Sequence, residues 1–259
     1  MPLLNAIASQ SIAMKSLFDA QNMANTAWAF AKMALKDAPL LTALSEEARS
    51  KITDCGPQEM ANIAWSFAAL ALTDHPLMNA ISAEAIPKKA QFDAQHLANT
   101  PWSWAALVLQ DQNLLESLSS QALRIIDDHT MQDFDLQELS NTVWACSTLL
   151  FLPEPLLNSI SSKVISKLHQ FDAQNFGNTA WSYAKLNILN EPLMPSIAAS
   201  ALTKIHLWET QELVNTAWAF AKLILYHEPL FQAISAAARK RLGSFAPQDL
   251  VTTAWSLAI

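Results

Sequence analysis

Tryptophan recurs at Trp28, Trp65, Trp102, Trp144, Trp181, Trp218 and Trp255, with successive gaps of 37, 37, 42, 37, 37 and 37 residues. Seven residues before each stands a glutamine: Gln21, Gln58, Gln95, Gln137, Gln174, Gln211 and Gln248. Three before it stands Asn25, Asn62, Asn99, Asn141, Asn178 or Asn215, with Thr252 in the last copy. Eleven after it comes Pro39, Pro76, Pro155, Pro192 or Pro229, with Asn113 as the exception. Registered landmarks at a period in the high thirties, carried by helical patterns, demand a helical solenoid whose units bury their faces against their neighbours. Only 3 glycines occur among 259 residues, which excludes hairpin-rich folds, phosphate-cradling loops and dinucleotide-binding turns. The chain therefore reads as all-α, a right-handed α-solenoid of 37-residue helix–turn–helix repeats forming one domain over 1–259. Its repeats are 18–54, 55–91, 92–133, 134–170, 171–207 and 208–244, with a helix B alone in 1–17 and a helix A alone in 245–259.

Each repeat reads as two helices. Helix A, written in DAQNMANTAWAFAKMAL, starts at a good cap, Asp19, and Phe18 is placed to staple onto Met23. The same pairing recurs as Phe92 with Leu97, Phe134 with Leu139, Phe171 with Phe176, and Trp208 with Leu213. Pro57 and Pro247 fall in the first turn, where a missing N–H is harmless. Helix B opens on an acid, a proline and a leucine, as in Glu191-Pro192-Leu193. Helices this short are marginal alone, so packing between repeats must stabilise the array.

On a helical wheel of about 100° per residue, Met23, Thr26, Phe30 and Met33 form the core stripe of helix A, while Ala24, Ala27 and Ala31 permit close helix approach. Gln21, Asn25, Trp28 and Lys32 share another stripe. Beside it runs a position that is always polar but varies between repeats: Asn22, Glu59, His96, Glu138, Asn175, Glu212 and Asp249. Bulky aromatics at helical spacing favour core packing for the tryptophans over a stacking platform for bases. The asparagines suit either a polar ladder between A helices or ligand contact, and the glutamines suit helix-end hydrogen bonding. The variable column is either a drifting exposed face or a reading face on a constant frame.

Charge follows the helix dipoles. Asp37, Asp74, Asp111, Glu154, Glu191 and Glu228 precede helix B, and Lys51, Lys88, Lys167, Lys204 and Arg241 recur near its end. That basic column is expected to cap more than to bind phosphate, although stacking it with Lys32, Lys185 and Lys222 offers a locally positive track. The net charge of −7 excludes a globally basic nucleic-acid binder. No run of 18 apolar residues exists to span a membrane. Cys55 and Cys146 are lone thiols, and the six histidines have no metal-ligand spacing, so no metal, cofactor or catalytic residue is expected. The start, MPLLNAIASQ, lacks the cationic opening of a targeting peptide.

The strings MANTAWAFAKMAL, FGNTAWSYAKLNIL and LVNTAWAFAKLIL resemble the octotricopeptide repeat family, and the chain is similar to the leucine-rich helical regions of FAST-kinase-type mitochondrial proteins. Helix B departs, with a single Pro-Leu in place of the family's proline run. The resemblance implies an organellar α-solenoid, in the mitochondrial matrix or chloroplast, active in RNA processing, stability or translation. It implies single-stranded RNA as partner, met by Asn22, Glu59, His96, Glu138, Asn175, Glu212 and Asp249. Beside them would stand Asn25, Asn62, Asn99, Asn141, Asn178 and Asn215, with Lys32, Lys185 and Lys222 on phosphates. The alternative is a protein-binding scaffold. Neither end carries a polar capping repeat, so a segment of a longer array that associates through its ends is expected. Pro101 within helix A, the lost landmark at Asn113 and five extra residues around DDHTMQD suggest a bend in the third repeat.

Overall fold

The computed structural model describes residues 2–128 and 134–258. Among these residues run fourteen α-helices and no strand. The B helices are α1 (Pro2–Met14), α3 (Ala38–Ser50), α5 (His75–Lys88), α7 (Gln112–Asp127), α9 (Glu154–Lys167), α11 (Leu193–Lys204) and α13 (Glu228–Arg241). The A helices are α2 (Ala20–Lys32), α4 (Pro57–Ala69), α6 (Ala94–Ala106), α8 (Leu136–Thr148), α10 (Ala173–Lys185), α12 (Thr210–Lys222) and α14 (Pro247–Leu257). Each complete repeat thus holds one A–B pair, and the array is an α-solenoid.

The chain divides into two compact units, Met1–Ile125 and Asp133–Ile259, with the end of α7 from Ile126 belonging to the second. In the first, α2, α4 and α6 stack side by side, as do α1, α3 and α5; in the second, α8, α10, α12 and α14 stack, as do α9, α11 and α13. Most of the five-residue insertion expected around DDHTMQD lies outside the described residues.

Local chemistry explains the repeat. Carboxylates of Asp19, Asp93, Asp135 and Asp172 accept the backbone N–H three residues on, at 2.7 to 2.9 Å, and start the A helices. Behind three of these carboxylates Phe92, Phe134 and Phe171 are buried, Phe18 behind Asp19 is half-buried, and Trp208 before α12 is buried. In the second unit Phe176 touches both Phe171, at 5.3 Å between centroids, and Trp208 of the next repeat, at 5.6 Å. These contacts tie one staple to the next. Phe30, Phe67 and Trp104 fill the core of the first unit, and Tyr183 and Phe220 that of the second. Met33, expected in that stripe, is instead the exposed C-cap of α2.

Every A helix of a complete repeat ends the same way, on a residue in the left-handed region: Ala34, Ala71, Val108, Leu150, Asn187 and Ile224, with φ between 50° and 57°. The bond from Leu35 N to the Phe30 carbonyl and its equivalents close a Schellman turn. A 3-10 turn follows most B helices, as at Ile52–Asp54 and Ile205–Leu207.

The caps of helix B differ from expectation. The residue capping helix B stands two before the proline position: Asp37, Asp74 and Asp111 cap through their carboxylates, and in the second unit Asn190 caps through its amide oxygen and His227 through Nδ1. Glu154 and Glu228 instead lie in the first helical turn. Pro101 does not break α6, which runs the same 13 residues as α2 and α4. Its ring is buried at the position where neighbouring repeats carry Ala27 and Ala64.

Candidate nucleic-acid interface

The outer face of the A helices carries the invariant columns. Gln21, Gln58 and Gln95 in the first unit are exposed, as are Gln137, Gln174, Gln211 and Gln248 in the second. They do not cap helices, contrary to expectation: where a side chain takes a first-turn donor, it is that of the N-cap residue or of the third helical residue. Asn25 is exposed, and Asn62, Asn99, Asn141, Asn178 and Asn215 are half-buried. Among the described residues, none of these six side-chain amides makes a hydrogen bond to another protein group. Three amides in each unit, each offering two donors and an acceptor, are therefore unused within the described residues.

The tryptophan column is not core. Trp28 is 43% exposed, Trp255 is 44% exposed, and Trp65, Trp102, Trp144, Trp181 and Trp218 are half-buried. The physical reason is the wheel angle: the buried aromatic stands two residues later in α2, α4, α6, α10 and α12, as Phe30, Phe67, Trp104, Tyr183 and Phe220, and α8 buries Cys146 at that position. Two rings of the column meet in the second unit, and Lys32 bridges two in the first. The Trp181 and Trp218 rings lie 6.1 Å apart, tilted by 37°. Lys32 Nζ sits 5.5 Å from the Trp28 ring and 5.2 Å from that of Trp65, and Lys185 Nζ sits 4.5 Å from Trp181. Partial burial there holds the Lys185 ammonium below its ordinary pKa. Lys222 is exposed.

The variable column has a structural duty that sequence reasoning missed. It is the third residue of helix A, and its side chain folds back onto the cap. Glu59, Glu138 and Asp249 accept the backbone N–H of Gly56, Asp135 and Ala246 at 3.1, 2.7 and 2.9 Å, and Asn175 accepts that of Asp172 at 3.3 Å. His96 Nδ1 lies 2.8 Å from the Asp93 carboxylate, and burial holds the imidazole below its ordinary pKa although Asp93 and Glu59 pull the other way. Asn22 is exposed, and one Glu212 oxygen is buried without a partner. The helix-A pattern of an acid followed three residues later by a polar residue was the available signal.

In the second unit the two amide columns converge on a pocket of about 410 Å³ between the first halves of α8 and α10. Gln137, Asn141, Gln174, Asn178 and Asn175 line it. Asn175 also donates through Nδ2 to Ser140 Oγ at 3.2 Å, which fixes that amide in the wall.

The basic column at the end of helix B does not form a phosphate track. Lys51 Nζ donates to the carbonyls of Ser16 and Phe18, and Lys88 to those of Thr53 and Cys55, all at 2.7 to 2.9 Å. Lys204 and Lys167 repeat the contact in the second unit, and Arg241 reaches the His206 carbonyl at 3.5 Å. These cations satisfy the carbonyls left open where the preceding repeat turns. The cations left on the A face are Lys32, Lys185 and Lys222.

Burial pushes the Cys55 and Cys146 thiols up to about 11 and 12, far from thiolate chemistry. Among the described residues no group of His, Cys, Asp and Glu is placed to hold a metal, and no helix is long and apolar enough to cross a membrane.

A half-exposed aromatic column framed by unused amides suits nucleic-acid bases, and the comparison with known families points the same way. The family model of the RNA-editing substrate-binding complex 6 protein matches residues 1–229. The chain belongs to that family. No curated protein matches it. Membership fits an RNA-associated helical protein, and the matched residues include every A helix from α2 to α12.

Proposed function

We propose that the chain binds single-stranded RNA on the A-helix face of each unit, as a non-catalytic component of organellar RNA editing or processing. The observation that carries this reading is the tryptophan column with its unpaired asparagines. Indole faces accept any base by stacking, and each stacked base contributes about 1–3 kcal/mol. Asparagine and glutamine amides offer paired donors and acceptors to base edges, and the pocket between α8 and α10 presents them from two repeats at once. Lys32 and Lys185 stand beside the indoles, and Lys222 is exposed one helical turn after Trp218, so all three would meet a backbone that runs along the tryptophans.

The third-residue column (Asn22, Glu59, His96, Glu138, Asn175, Glu212 and Asp249) borders this face. In this reading its charge differences bias which base each step accepts, while its capping bonds hold it still. Family membership supports an RNA-editing assembly as the setting. The likeness of helix A to octotricopeptide repeats and FAST-kinase-type helical regions supports the mitochondrial matrix or the chloroplast as the compartment.

The test is fluorescence anisotropy with labelled 15-residue homopolymers of each base between 25 and 200 mM salt. Binding that weakens steeply with salt and is lost on replacing Trp181 and Trp218 by Ala is the expected result. An absence of RNA retention at 25 mM salt overturns the reading.

A further inference from the structure

The left-handed turn that ends each A helix is a place for glycine, yet glycine occupies none of the six positions. In the second unit, Leu150 and Ile224 hold this backbone with 70% and 82% of their surface exposed. Two residues further on stand Leu152, Leu189 and Tyr226, also exposed, Tyr226 by 79%. Burial compensates neither the backbone conformation nor the apolar surface. The repeat itself does not require these side chains, since Ala34 and Ala71 hold the same turn in the first unit and Asn187 holds it in the second; Val108 of the first unit is also exposed, by 72%, but the residues two positions on in that unit are the polar Lys36, Thr73 and Gln110. Residues that strain the backbone and expose apolar surface mark a surface kept for contact.

Charge defines the contact further. Exposed Glu154, Glu191 and Glu228 each follow the apolar residue by two positions, one per repeat. The apolar edge continues from Ile224, Leu225 and Tyr226 into a groove of about 530 Å³ walled by Phe231 and Leu257. Tyr226 stacks on Phe231 there, with centroids 6.2 Å apart and planes 13° from parallel. Because α8, α10 and α12 stack side by side, their terminal turns share one edge. Neighbouring helices pack about 8–10 Å apart, and seven residues of α-helix advance about 10.5 Å. A helix laid along the edge thus presents one apolar residue per heptad to successive repeats, and its flanks run past the glutamates.

We propose that the terminal-turn edge of the second unit docks an amphipathic α-helix of a partner protein, apolar at heptad spacing and basic along its flanks. The surface is separate from the RNA face, and the proposal stands whether or not RNA binds there.

The probe is a fluorescein-labelled 21-residue peptide with Leu at the a and d positions of three heptads and Lys at e and g. Its control carries Glu at e and g. The full chain is expected to bind the basic peptide at least tenfold more tightly than the acidic one. Leu150→Gly with Ile224→Gly removes the apolar side chains while relaxing the backbone, so the melting temperature does not fall while peptide affinity drops at least tenfold. Tyr226→Ser, which leaves the left-handed residues untouched, weakens the peptide in the same direction. Equal binding of the two peptides, or unchanged binding by both variants, overturns the proposal. So does a loss of homopolymer RNA binding in the variants with no loss of peptide binding, which would give the edge to RNA. Self-association of the chain that the variants abolish, without peptide binding, would give it to a second copy and overturns the proposal equally.

Discussion

The ammonium of Lys204 donates to the carbonyl oxygen of Phe171 at 2.7 Å, across 33 residues of sequence, and to that of His169 at 2.8 Å. It also lies 5.8 Å from the Phe176 ring. One side chain at the end of helix B thereby closes the turn that launches the preceding helix A. Lys51 and Lys88 do the same in the first unit. A solenoid has few contacts of high sequence separation, and these bonds join the end of helix B to the turns on either side of the repeat boundary.

Lys204→Met keeps the aliphatic stem and removes the donor, leaving two carbonyls short of a partner. Bonds to charged groups contribute about 1.5–3 kcal/mol each when sheltered, and this site is half-buried, so a loss of about 1–3 kcal/mol is expected. Lys222→Ala, on an exposed side chain, is expected to stay within about 0.5 kcal/mol. Urea unfolding of both variants checks the contrast, and equal midpoints would show that the bond is idle.

The left-handed residues give the opposite sign. A non-glycine residue in that conformation costs roughly 1–2 kcal/mol, and glycine returns part of it through greater freedom when unfolded. Val108→Gly, at an exposed position, is expected to raise stability by about 0.5–1 kcal/mol. A melting temperature that falls instead would mean that the side chain packs in solution.

The fold was legible because the landmarks are spaced by the repeat itself: Trp28 and Trp65 differ by the same 37 residues that separate α2 from α4. Caps and staples were legible for the same reason, being local. What the sequence obscured was orientation. Trp102 and Trp104 lie two residues apart, both aromatic, and only packing shows that the second is core and the first is surface. Glu138 looked like a free reading residue because its variation between repeats was visible and its bond to Asp135 N was not. Lys51 was expected to cap more than to bind phosphate, but which groups it caps was not legible, because its partners, the carbonyls of Ser16 and Phe18, are backbone groups common to any sequence.

Pro101 sits in mid-helix, where its missing N–H and ring clash cost about 3 kcal/mol in an ordinary helix. α6 is nonetheless unbroken, and its neighbours hold Ala27 and Ala64 at the same buried position. Pro101→Ala restores the bond but leaves a small void where the ring packed, so a net gain of about 1–3 kcal/mol is expected. Destabilisation on calorimetry would show that ring packing outweighs the helix defect.

His96 supplies a pH dependence. Burial lowers its pKa below the usual 6.5, so the unfolded chain binds the proton more readily than the folded one. Stability from this residue is intact above the ordinary value and declines as the pH falls through it. His96→Asn, which can still fold back on the cap as Asn175 does, removes that decline. The wild type is expected to lose more stability than the variant between pH 8 and about pH 5.5; parallel loss would place the titration elsewhere.

The same capping logic makes a clean test of base selection. Glu138 accepts the N–H of Asp135 at 2.7 Å, and Asn175, its counterpart one repeat on, makes the equivalent bond at 3.3 Å. Glu138→Asn therefore keeps the start of α8 while replacing a carboxylate with an amide beside the pocket that Gln137, Asn141 and Asn178 line. If bases sit over that pocket, the variant changes the order of preference among the four homopolymers, because an amide both donates and accepts where a carboxylate only accepts. Lys222→Ala touches phosphate alone in this reading. It is expected to weaken all four about equally and to reduce the salt slope by about one. Competition anisotropy across the four homopolymers separates the two effects. A Glu138→Asn variant that shifts every affinity by the same factor would show that the third-residue column caps helices and reads nothing.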